Sequence, residues 1–588
     1  MQLFHRLVGL ETEYAMVAPR DVPTGAVGRE RPPTRLRRYR ALVDALARRI
    51  PIAEAHHDKP GVFAANSSAV WFETNRASID TGLIEGATPE CRGPVQAVLY
   101  QRAQDRLLAE SAADADVDEA GGFQLLKNDQ DARGATYGAQ ENYEATIAVG
   151  WRLAAWRLGL VLLLLPASLL WLHLLLVNFS LLVYVVGVHL ASLVVGSTSG
   201  DRSRRLEQTL LHPDWVDGRG AETPLPPRLE ALLHVLTRGA VWPLAACLQR
   251  LIRATAFVPQ RRALESLLVT RLVVGGAGVL RADGSFQISD KAVAIGRLVG
   301  FGDLARDKPI FDFGYMLKAF GLQLRGAPYD YLELFARRQR LQIGVGDSNM
   351  AATAELLRVA TTALVLDMVE SYMESADSEP ATLEPATNWP QLANPLAALQ
   401  AYSADDSLTV SVKATDGRSL TAVEVQREYA RRAVAFLREQ NHVPGEASFV
   451  SRLWNETLDR LETNPLSLVG KLDWITKRQL LREAGAGLAW EARKKIDLRY
   501  HELSPTGYYQ RLAARMRTES WIDEAHVERA MRSPPHDSPA TMRGHYIREF
   551  SVGDAPVRVT WRRVVIGEGK SRRVIRLDRY QQVARLRD

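Results

Sequence analysis

Two glutamates flank a threonine in LETEY, residues 10 to 14, and they are the first residues of this chain that could do chemistry together. In an extended segment successive side chains point to opposite faces, so Glu11 and Glu13 share one face and can converge on one cation. Glutamates are mostly solvated, and this segment alone favours an exposed edge strand. The rest of the chain has to decide between the two interpretations.

Further polar clusters lie in NRASIDTGLIEGATPEC and LLKNDQDARGATYGAQENYEA. The residues of these clusters that could bind a cation or a phosphate, or transfer a proton, are Arg76, Asp80, Glu85, Thr88, Glu90, Asn128, Asp131 and Glu141. Carboxylate oxygens are hard ligands that suit Mg²⁺ and its nucleotide phosphates. The clusters therefore predict a magnesium and nucleotide site, although no GxxxxGK[ST] loop or GxGxxG is placed to start a phosphate-binding helix.

Strands and loops must position these residues. GVFAANSSAVWF and GGFQLLKNDQDARGATYG predict β-rich structure with polar loops in the first part of the chain. Strand-like LQIGVGDSNM and the apolar-periodic helix ATAELLRVATTALVLDMVESY follow much later. APVRVTWRRVVI and SRRVIRLDRY predict a small β-containing unit at the C-terminus.

The composition is that of a globular protein, with 588 residues, 46% hydrophobic and 24% charged residues and a net charge of +6. That charge is small for so large a surface and does not indicate nucleic-acid binding. Two cysteines, Cys91 and Cys247, supply neither a disulfide framework nor a metal cluster, which favours a reducing, cytosolic environment. The N-terminus does not have the pattern of a secretory signal.

Residues 158–197 contain no Asp, Glu, Lys or Arg. A bilayer core takes roughly 20 helical residues, so this block predicts two membrane crossings in a hairpin, with the turn near Asn178 and Ser180. Arg152 and Arg157 precede the block and several arginines follow it, so both ends are expected in the cytoplasm. The alternative is a buried helical hairpin of a soluble protein.

Several motifs occur in order along nearly the whole chain outside this block: LETEY, D-x4-E-x2-TPEC, KN-x-x-D-x-x-G-x-x-YG-x-x-EN, LVTRLVVGGAG, GVGDSNM, VQREY and RGHYIR. Together they resemble the Pup ligase and Pup deamidase family, which comprises carboxylate-amine ligases with a glutamine-synthetase-like core. The resemblance implies an α+β fold with a curved, mainly antiparallel sheet packed with helices and a small C-terminal β-containing domain, here with an inserted transmembrane hairpin.

The resemblance also implies roles for individual residues. It implies that Glu11, Glu13, Glu85 and Glu141 belong to the magnesium site and that Asp80 is the catalytic aspartate. It implies ATP contacts for Arg76, Thr88 and Trp561. The expected boundaries are 1–150 for the first part of the catalytic domain, 151–200 for the hairpin, 201–260 for a juxtamembrane linker and helix, 261–510 for the remainder of the catalytic domain and 511–588 for the C-terminal domain.

The activity implied is ATP-dependent ligation, in which the C-terminal glutamate of a Pup-like modifier is phosphorylated and then joined to a target-protein lysine. Such tagging directs proteins to proteasomal degradation. Magnesium would neutralise phosphate charge, an arginine would steady the transferred group, and Asp80 would take the proton of the lysine amine. The expected partners are the modifier, lysine-bearing proteins and the membrane, with the catalytic domain in the cytoplasm.

The sequence departs from the family pattern at the histidine positions, where it carries Gln140 and Gln342. Glutamine keeps hydrogen-bonding capacity but carries no titratable proton near neutral pH. Ser78 and the pair Leu83 and Ile84 are further departures. The short segment between ETEY and Asp80 favours a ligase, whereas the interval from Asp80 to Glu85 is closer to the deamidase branch. A deamidase, or a pseudoenzyme that binds modifier or substrates at the membrane, is the alternative.

Overall fold

The computed structural model describes residues 2–17, 34–56, 59–73, 82–115, 122–132, 134–196, 227–302, 307–320, 328–376, 389–485, 487–516, 521–553 and 555–577. The strands in these residues are β1 (Leu7–Val17), β2 (Ile52–Ala55), β3 (Gly61–Ala64), β4 (Ala69–Glu73), β5 (Leu83–Ala87), β6 (Cys91–Arg92), β7 (Gln124–Leu126), β8 (Gln140–Thr146), β9 (Val279–Leu280), β10 (Phe286–Gln287), β11 (Ile295–Gly300), β12 (Lys308–Asp312), β13 (Arg338–Ile343), β14 (Ser411–Lys413), β15 (Ser419–Thr421), β16 (Val557–Val559), β17 (Arg563–Ile566) and β18 (Arg573–Arg576).

The helices are α1 (Arg35–Arg49), α2 (Gly93–Ala113), α3 (Gly150–Gly196), α4 (Pro227–Thr255), α5 (Val258–Thr270), α6 (Leu272–Gly275), α7 (Gly314–Lys318), α8 (Pro328–Glu333), α9 (Ala352–Ala376), α10 (Pro395–Ala404), α11 (Ala422–Arg438), α12 (Gly445–Thr463), α13 (Asp473–Glu483), α14 (Trp490–Arg499), α15 (Tyr508–Met516), α16 (Glu524–Arg532) and α17 (Pro539–Phe550). The chain is therefore α+β, as the sequence predicted.

A 14-stranded sheet forms the centre of the fold, in the order β11-β12-β13-β8-β1-β5-β4-β3-β2-β16-β17-β18, with β6 and β7 also paired to β1. Its pairs are antiparallel except β11 with β12 and β2 with β16. The C-terminal strands therefore extend the main sheet instead of forming a sheet of their own. Strand β1, the longest, lies in the interior of this order and pairs with β5 and β8 on its two sides.

The two faces of β1 have opposite environments, because its side chains alternate between half-buried and buried from Leu7 to Met16. The buried face packs on helix α2, where the Tyr14 hydroxyl donates to Asp105 Oδ1 at 2.7 Å and the Thr12 hydroxyl donates to Gln101 Oε1 at 3.2 Å. The other face carries the two glutamates of LETEY. Burying one face fixes the register of the strand, because a slip of one residue would exchange the two faces.

The apolar block forms one continuous helix, α3, which at 1.5 Å per residue is about 70 Å long. The structure corrects the predicted hairpin in this respect. The Asn178 amide donates to the Leu174 carbonyl at 2.7 Å, one helical turn back, so the residue expected in a turn lies within the helix. Among the described residues, Gly150–Val195 is the one helix that is long and apolar enough to cross a membrane.

Helix α4 returns antiparallel beside α3, and the two are called the arm below. The Phe257 amide, just after α4, donates to the Ile147 carbonyl at 2.6 Å, just before α3 begins. Further along, Gly159 faces Leu251, and a Cβ added to Gly159 would lie 2.4 Å from a Leu251 methyl carbon. The absence of a side chain at Gly159 thus permits the close approach of the two helices.

Replacing Gly159 with leucine is expected to force α3 and α4 apart and to lower the free energy of unfolding by about 1–3 kcal/mol, the usual cost of overpacking. The matched control is Gly187→Leu on the same helix, where an added Cβ meets nothing within 4 Å among the described residues. Thermal unfolding followed by circular dichroism measures both variants. Equal effects of the two substitutions would contradict the close approach.

Candidate functional site

The half-buried face of β1 gathers carboxylates from two strands. Glu11 and Glu13 project from this face, and antiparallel pairing places Glu85 of β5 directly opposite Glu13. Directly opposite residues of paired antiparallel strands have Cβ atoms about 4.5–5.5 Å apart. The structure thus brings together three of the four acids that the sequence predicted for magnesium, and these three are called the carboxylate face below.

Backbone and side-chain donors orient these carboxylates. The Gly138 amide donates to Glu13 Oε2 at 2.8 Å, and the Asn142 side-chain amide donates to Glu11 Oε1 at 3.1 Å. The Arg340 guanidinium lies 3.7 Å from Glu11 Oε1. The loop before β8, together with β8 and β13, therefore supplies polar contacts to the acids of β1 from one side.

Burial, together with neighbouring like charge, perturbs the pKa of Glu85. Burial, followed by the charges of Glu11 and Glu13, raises the pKa of Glu85 to about 7, against the opposing effect of Lys59. The Lys59 ammonium lies 3.6 Å from Glu85 Oε2 and also pairs with Glu73. A bound divalent cation would relieve the repulsion among the three acids, so their donor set fits Mg²⁺.

An aromatic and cationic group adjoins the carboxylate face. Trp71 of β4 lies opposite Glu85 in the sheet, and Phe63 of β3 makes edge contacts with both Trp71 and Trp561, with ring centroids 5.6 and 4.9 Å apart. The Arg543 guanidinium lies 4.8 Å from the Trp561 ring centroid and bonds both oxygens of Glu90, at 2.9 and 2.6 Å. Sequence reasoning included RGHYIR as a motif but assigned no role to Arg543.

Gln140 and Gln342, which the resemblance places at histidine positions, meet on the sheet. Gln140 begins β8, and Gln342 lies on the neighbouring strand β13. The Gln342 amide nitrogen donates to Gln140 Oε1. Position 140 also pairs with Glu11 in the β1–β8 register, so this neutral amide pair lies beside the carboxylate face.

Glu141 lies on the opposite side of the sheet, fully buried. Arg271 donates to both of its oxygens at 2.8 and 2.6 Å, Arg358 donates to Oε1 at 2.8 Å, and the Tyr143 hydroxyl donates to Oε2 at 2.7 Å. Burial would raise the pKa of Glu141, but the two arginines outweigh it and lower that pKa. Contrary to the sequence prediction, Glu141 is part of a buried ion-pair cluster and does not share the carboxylate face.

Thr88 is also buried, and its hydroxyl is engaged by the backbone. It accepts from the Leu10 amide at 3.0 Å and donates to the Pro89 carbonyl at 3.2 Å. The side chain thus fastens the end of β5 to β1, a structural role that differs from the predicted ATP contact. Arg76 and Asp80 lie outside the described residues, so their predicted roles stay predictions.

A second group of acids was missed by sequence reasoning. Asp129, Asp290 and Asp347 are buried, and each offers a carboxylate oxygen within 4.8 Å of the others, close enough to hold a cation. The pKa of Asp290 is strongly raised, chiefly by burial and next by the charges of Asp129 and Asp347. The pKa of Asp347 is raised to about 6, chiefly by burial and next by the charge of Asp129. Asp129 lies within the KN-x-x-D motif and Asp347 within GVGDSNM, but the three acids are far apart in sequence and no spacing joins them.

These buried acids lie behind the carboxylate face. The Ala139 amide donates to Asp129 Oδ1 at 3.1 Å, and the Lys291 ammonium donates to the Ala139 carbonyl. The neighbouring Gly138, at φ +121°, donates to Glu13, and a Cβ there would overlap Asp129. The buried acids therefore help to hold the loop that contacts Glu13.

Comparison with known proteins identifies the family. The family described as "Pup-ligase protein" matches residues 6–565, nearly the full chain. The chain belongs to the Pup-ligase family. The chain is therefore an enzyme of the ATP-dependent carboxylate-amine ligase class. It also has homologues that are deamidases.

Curated relatives carry both activities in their names. A depupylase of Acidothermus cellulolyticus is 27% identical over 579 residues, which cover 93% of this chain and 88% of the relative. A Pup–protein ligase of Corynebacterium diphtheriae is 29% identical over 318 residues, 52% of this chain and 60% of the relative. A Pup deamidase/depupylase of Mycolicibacterium smegmatis is 31% identical over 327 residues, 54% of this chain and 60% of the relative.

Two solved structures share the fold. The complex of Pup with its ligase PafA matches with a TM-score of 0.62 at 19% identity, covering 99% of this chain and 93% of that one. The ligase PafA bound to ADP matches with a TM-score of 0.56 at 19% identity, covering 90% and 91%. At this identity the likeness establishes a PafA-like α+β fold.

Substituting Glu141 with glutamine is expected to lower the free energy of unfolding by about 3–5 kcal/mol, because it leaves Arg271 and Arg358 buried without a counter-charge. The control is Glu144→Gln on the same strand, whose side chain is 29% exposed and pairs with Arg338 at the surface. That change should cost less than about 1 kcal/mol. Urea denaturation measures both, and similar midpoints would contradict the assignment of Glu141 to a buried cluster.

The raised pKa of Glu85 predicts a pH dependence of stability in the metal-free protein. Between about pH 4.5 and 7 folded Glu85 keeps a proton that the unfolded chain has lost, so stability falls as pH rises through that window. The total is at most about 3–4 kcal/mol, because the pKa rises from 4.5 to about 7 and each pKa unit corresponds to about 1.4 kcal/mol. Urea midpoints in EDTA should show this slope in the native chain and a flatter one in Glu85→Gln; identical slopes would argue against crowding at Glu85.

Proposed function

We propose that this protein is an ATP-dependent ligase that joins the C-terminal glutamate of a Pup-like modifier to lysines of target proteins, in a tagging step for proteasomal degradation. The observation that carries the proposal is the carboxylate face of Glu11, Glu13 and Glu85 beside the Trp561 and Arg543 group, in a chain that belongs to the Pup-ligase family. The ligase relatives and the fold shared with PafA support it.

Each part of the site has a place in this reaction. Glu11, Glu13 and Glu85 would hold Mg²⁺, which when bound supplies neutralisation of phosphate charge. The ring of Trp561, positioned against Arg543 and Phe63, offers a surface on which a nucleotide base can stack. Arg76, in the segment between β4 and β5, would steady the transferred phosphoryl group.

The reaction proceeds in two balanced steps. The γ-carboxylate of the modifier's terminal glutamate attacks the γ-phosphorus of ATP, which forms an acyl phosphate and releases ADP. The lysine ε-amine then attacks the acyl carbon, an isopeptide bond forms, and inorganic phosphate leaves with the bonding pair. Asp80 would accept the proton of the attacking amine, a step that typically contributes 10²–10⁴-fold to the rate.

A deamidase or depupylase of the same modifier is the second candidate. It is favoured by the depupylase relative, whose alignment spans 93% of this chain. Hydrolysis would use the same carboxylate face with water in place of the lysine amine. The pair Gln140–Gln342 bears on both candidates, since neither amide can transfer a proton in place of an imidazole.

Purified full-length protein mixed with ATP, Mg²⁺, a modifier ending in glutamate and a lysine-bearing acceptor is expected to release ADP and to form a conjugate detectable by mass spectrometry. Asp80→Asn should lower the conjugation rate by at least about 100-fold, because the amine loses its proton acceptor. Asp416→Asn, in an exposed turn paired with Arg418, is the matched control and should retain the rate.

Three outcomes separate the candidates. Conjugation that depends on Asp80 supports the ligase. Cleavage of a preformed conjugate, or release of ammonia from a modifier ending in glutamine, faster than conjugation would replace the ligase with the deamidase. Absence of both reactions together with absence of magnesium-dependent nucleotide binding would identify a pseudoenzyme.

Attachment to a membrane, with the catalytic sheet in the cytoplasm, is a further part of the proposal. It is supported by the charge-free run at 158–197 and by the exposed leucines along α3. Anchoring would limit the accessible targets to membrane proteins and proteins near the membrane.

The double substitution Leu165→Glu and Leu169→Glu on the exposed side of α3 is expected to reduce co-flotation with lipid vesicles by more than tenfold, since each buried leucine contributes about 1.5–3 kcal/mol. The described residues outside the arm are called the catalytic body. Leu466→Glu, at an exposed leucine of this body, is the control and should float like the native chain. Flotation of all three proteins to the same degree would contradict attachment through α3.

A further inference from the structure

The arm has two different sides over its first half. The side of α3 that packs on the body and on α4 carries buried residues, Trp156, Leu160, Leu163, Ala167 and Leu170. The opposite side carries leucines that are more than half exposed at a spacing of four and three residues, Leu158, Leu162, Leu165, Leu169 and Leu172. This spacing keeps them on one face of the helix.

Polar bonds fasten this half of α3 to the catalytic body. The indole nitrogen of Trp156 donates to the Leu334 carbonyl at 2.7 Å, and that of Trp171 donates to the Phe320 carbonyl at 3.0 Å. The Tyr331 hydroxyl donates to the Leu160 carbonyl at 2.9 Å. Lipid can therefore reach this half of α3 from one side alone.

Exposed arginines lie where the arm joins the body. Arg157 is on the first turns of α3, Arg250 and Arg253 are on the last turns of α4, and Arg262 follows on α5. Arg157 also bonds the Phe335 carbonyl at 3.0 Å. A basic group next to an extended apolar surface matches an anionic bilayer, whose headgroups lie next to its hydrocarbon.

We infer that the arm lies in one leaflet of an anionic bilayer without crossing it, with its exposed leucines in the hydrocarbon and its basic end at the headgroups. The inference rests on the proposed membrane attachment and defines its geometry. Both ends of the arm, and the segment that joins α3 to α4, are then on the same side of the membrane as the catalytic sheet.

The sheet requires an even number of crossings. Strand β8 ends at Thr146, just before α3, and pairs from Arg338↔Thr146 to Ile343↔Glu141 with β13, which follows the arm in sequence. The chain before and after the arm therefore lies on one side. If α3 crossed, the chain would have to cross back between Gly196 and the end of α4.

The sequence of that return does not suit hydrocarbon. Between Asp201 and Arg238 the longest charge-free stretch is seven residues, 231–237, far short of the roughly 20 that a crossing needs. Leu251 of α4 lies beside Gly159 of α3, and the two helices are antiparallel. Counting equal numbers of residues from this contact places Pro227, the first residue of α4, level with residue 183 of α3, which is about 18 Å further along the helix than Trp171. By the same steps Arg238 is level with residue 172, so the part of α4 after Arg238 lies beside the half of α3 that packs on the body and cannot supply the return.

A second copy of the chain fits the exposed face less well than lipid does. A coiled-coil seam in water is narrow and has polar residues on both of its sides. Here Val161, Leu164 and Leu175, beside the row of exposed leucines, are themselves exposed and apolar. Exposed Leu232, Val235 and Trp242 extend the apolar surface onto α4, which gives the breadth of a surface that contacts lipid.

The geometry also narrows the substrate class. Asn142 of β8 contacts the carboxylate face, and Leu158 is the first exposed leucine of α3. Eight residues of chain lead from Asn142 to Gly150, and eight more along the helix lead to Leu158, so these two residues are at most about 40 Å apart. The carboxylate face is thereby held close to the bilayer surface. The inferred acceptors are lysines on the exposed surfaces of membrane proteins on this same side.

Cysteine labelling tests the inference on the full-length protein bound to preformed vesicles that contain phosphatidylglycerol. In a Cys247→Ser background, Ser203→Cys reports on the segment between α3 and α4, and Ser407→Cys reports on the catalytic body. A membrane-impermeant maleimide added outside is expected to label both to the same extent without detergent. Labelling of Ser203→Cys that requires detergent would overturn the inference, since the segment would then have crossed or entered the bilayer.

Vesicle binding itself supplies the second readout. Arg250→Glu with Arg253→Glu should weaken binding to phosphatidylglycerol vesicles by roughly fivefold per arginine and leave binding to neutral phosphatidylcholine vesicles little changed. An unchanged preference for anionic vesicles would overturn the role of the basic end. Failure of the native chain to float at all, or a stable dimer in water that does not float, would overturn both membrane attachment and this inference while leaving the ligase proposal intact.

Discussion

Strand β1 depends on one constraint, which is that its two faces cannot be exchanged. Tyr14 and Thr12 are fixed by hydrogen bonds to α2 on the buried side, so Glu11 and Glu13 must project from the other side. Pairing with β5 then sets Glu85 opposite Glu13, and pairing with β8 brings Asn142 to Glu11. The arrangement of the carboxylate face follows from the packing of the core.

Buried charge behind the sheet supports the same arrangement. The Glu141 cluster joins β8 to α9 through Arg358 and to the end of α5 through Arg271, so the strand beside β1 has little freedom to move. Asp129 and Lys291 hold the loop at Ala139, immediately before that strand begins. Such buried ionic groups are costly to break, and here they fix the acids that face the exposed side.

The alternation of LETEY was readable from the sequence, because a strand has a period of two and five residues suffice to reveal it. Glu141 was misplaced for a related reason: motif membership says that an acid is important, whereas one step in register decides which face it occupies. The hairpin was mispredicted because apolar composition does not determine where a helix ends. Two members of the triad, Asp129 and Asp347, lie in motifs, but no local pattern joins them to Asp290, since the three acids meet through the tertiary fold.

Binding of a divalent cation to the carboxylate face is the central claim, and Mn²⁺ substituted for Mg²⁺ tests it most directly. Electron paramagnetic resonance of free Mn²⁺ should report binding to the native protein that is lost in Glu13→Gln and kept in Glu144→Gln. The reverse pattern would contradict the account: Mn²⁺ binding that survives Glu13→Gln but disappears in Asp347→Asn would place the functional cation at the buried triad.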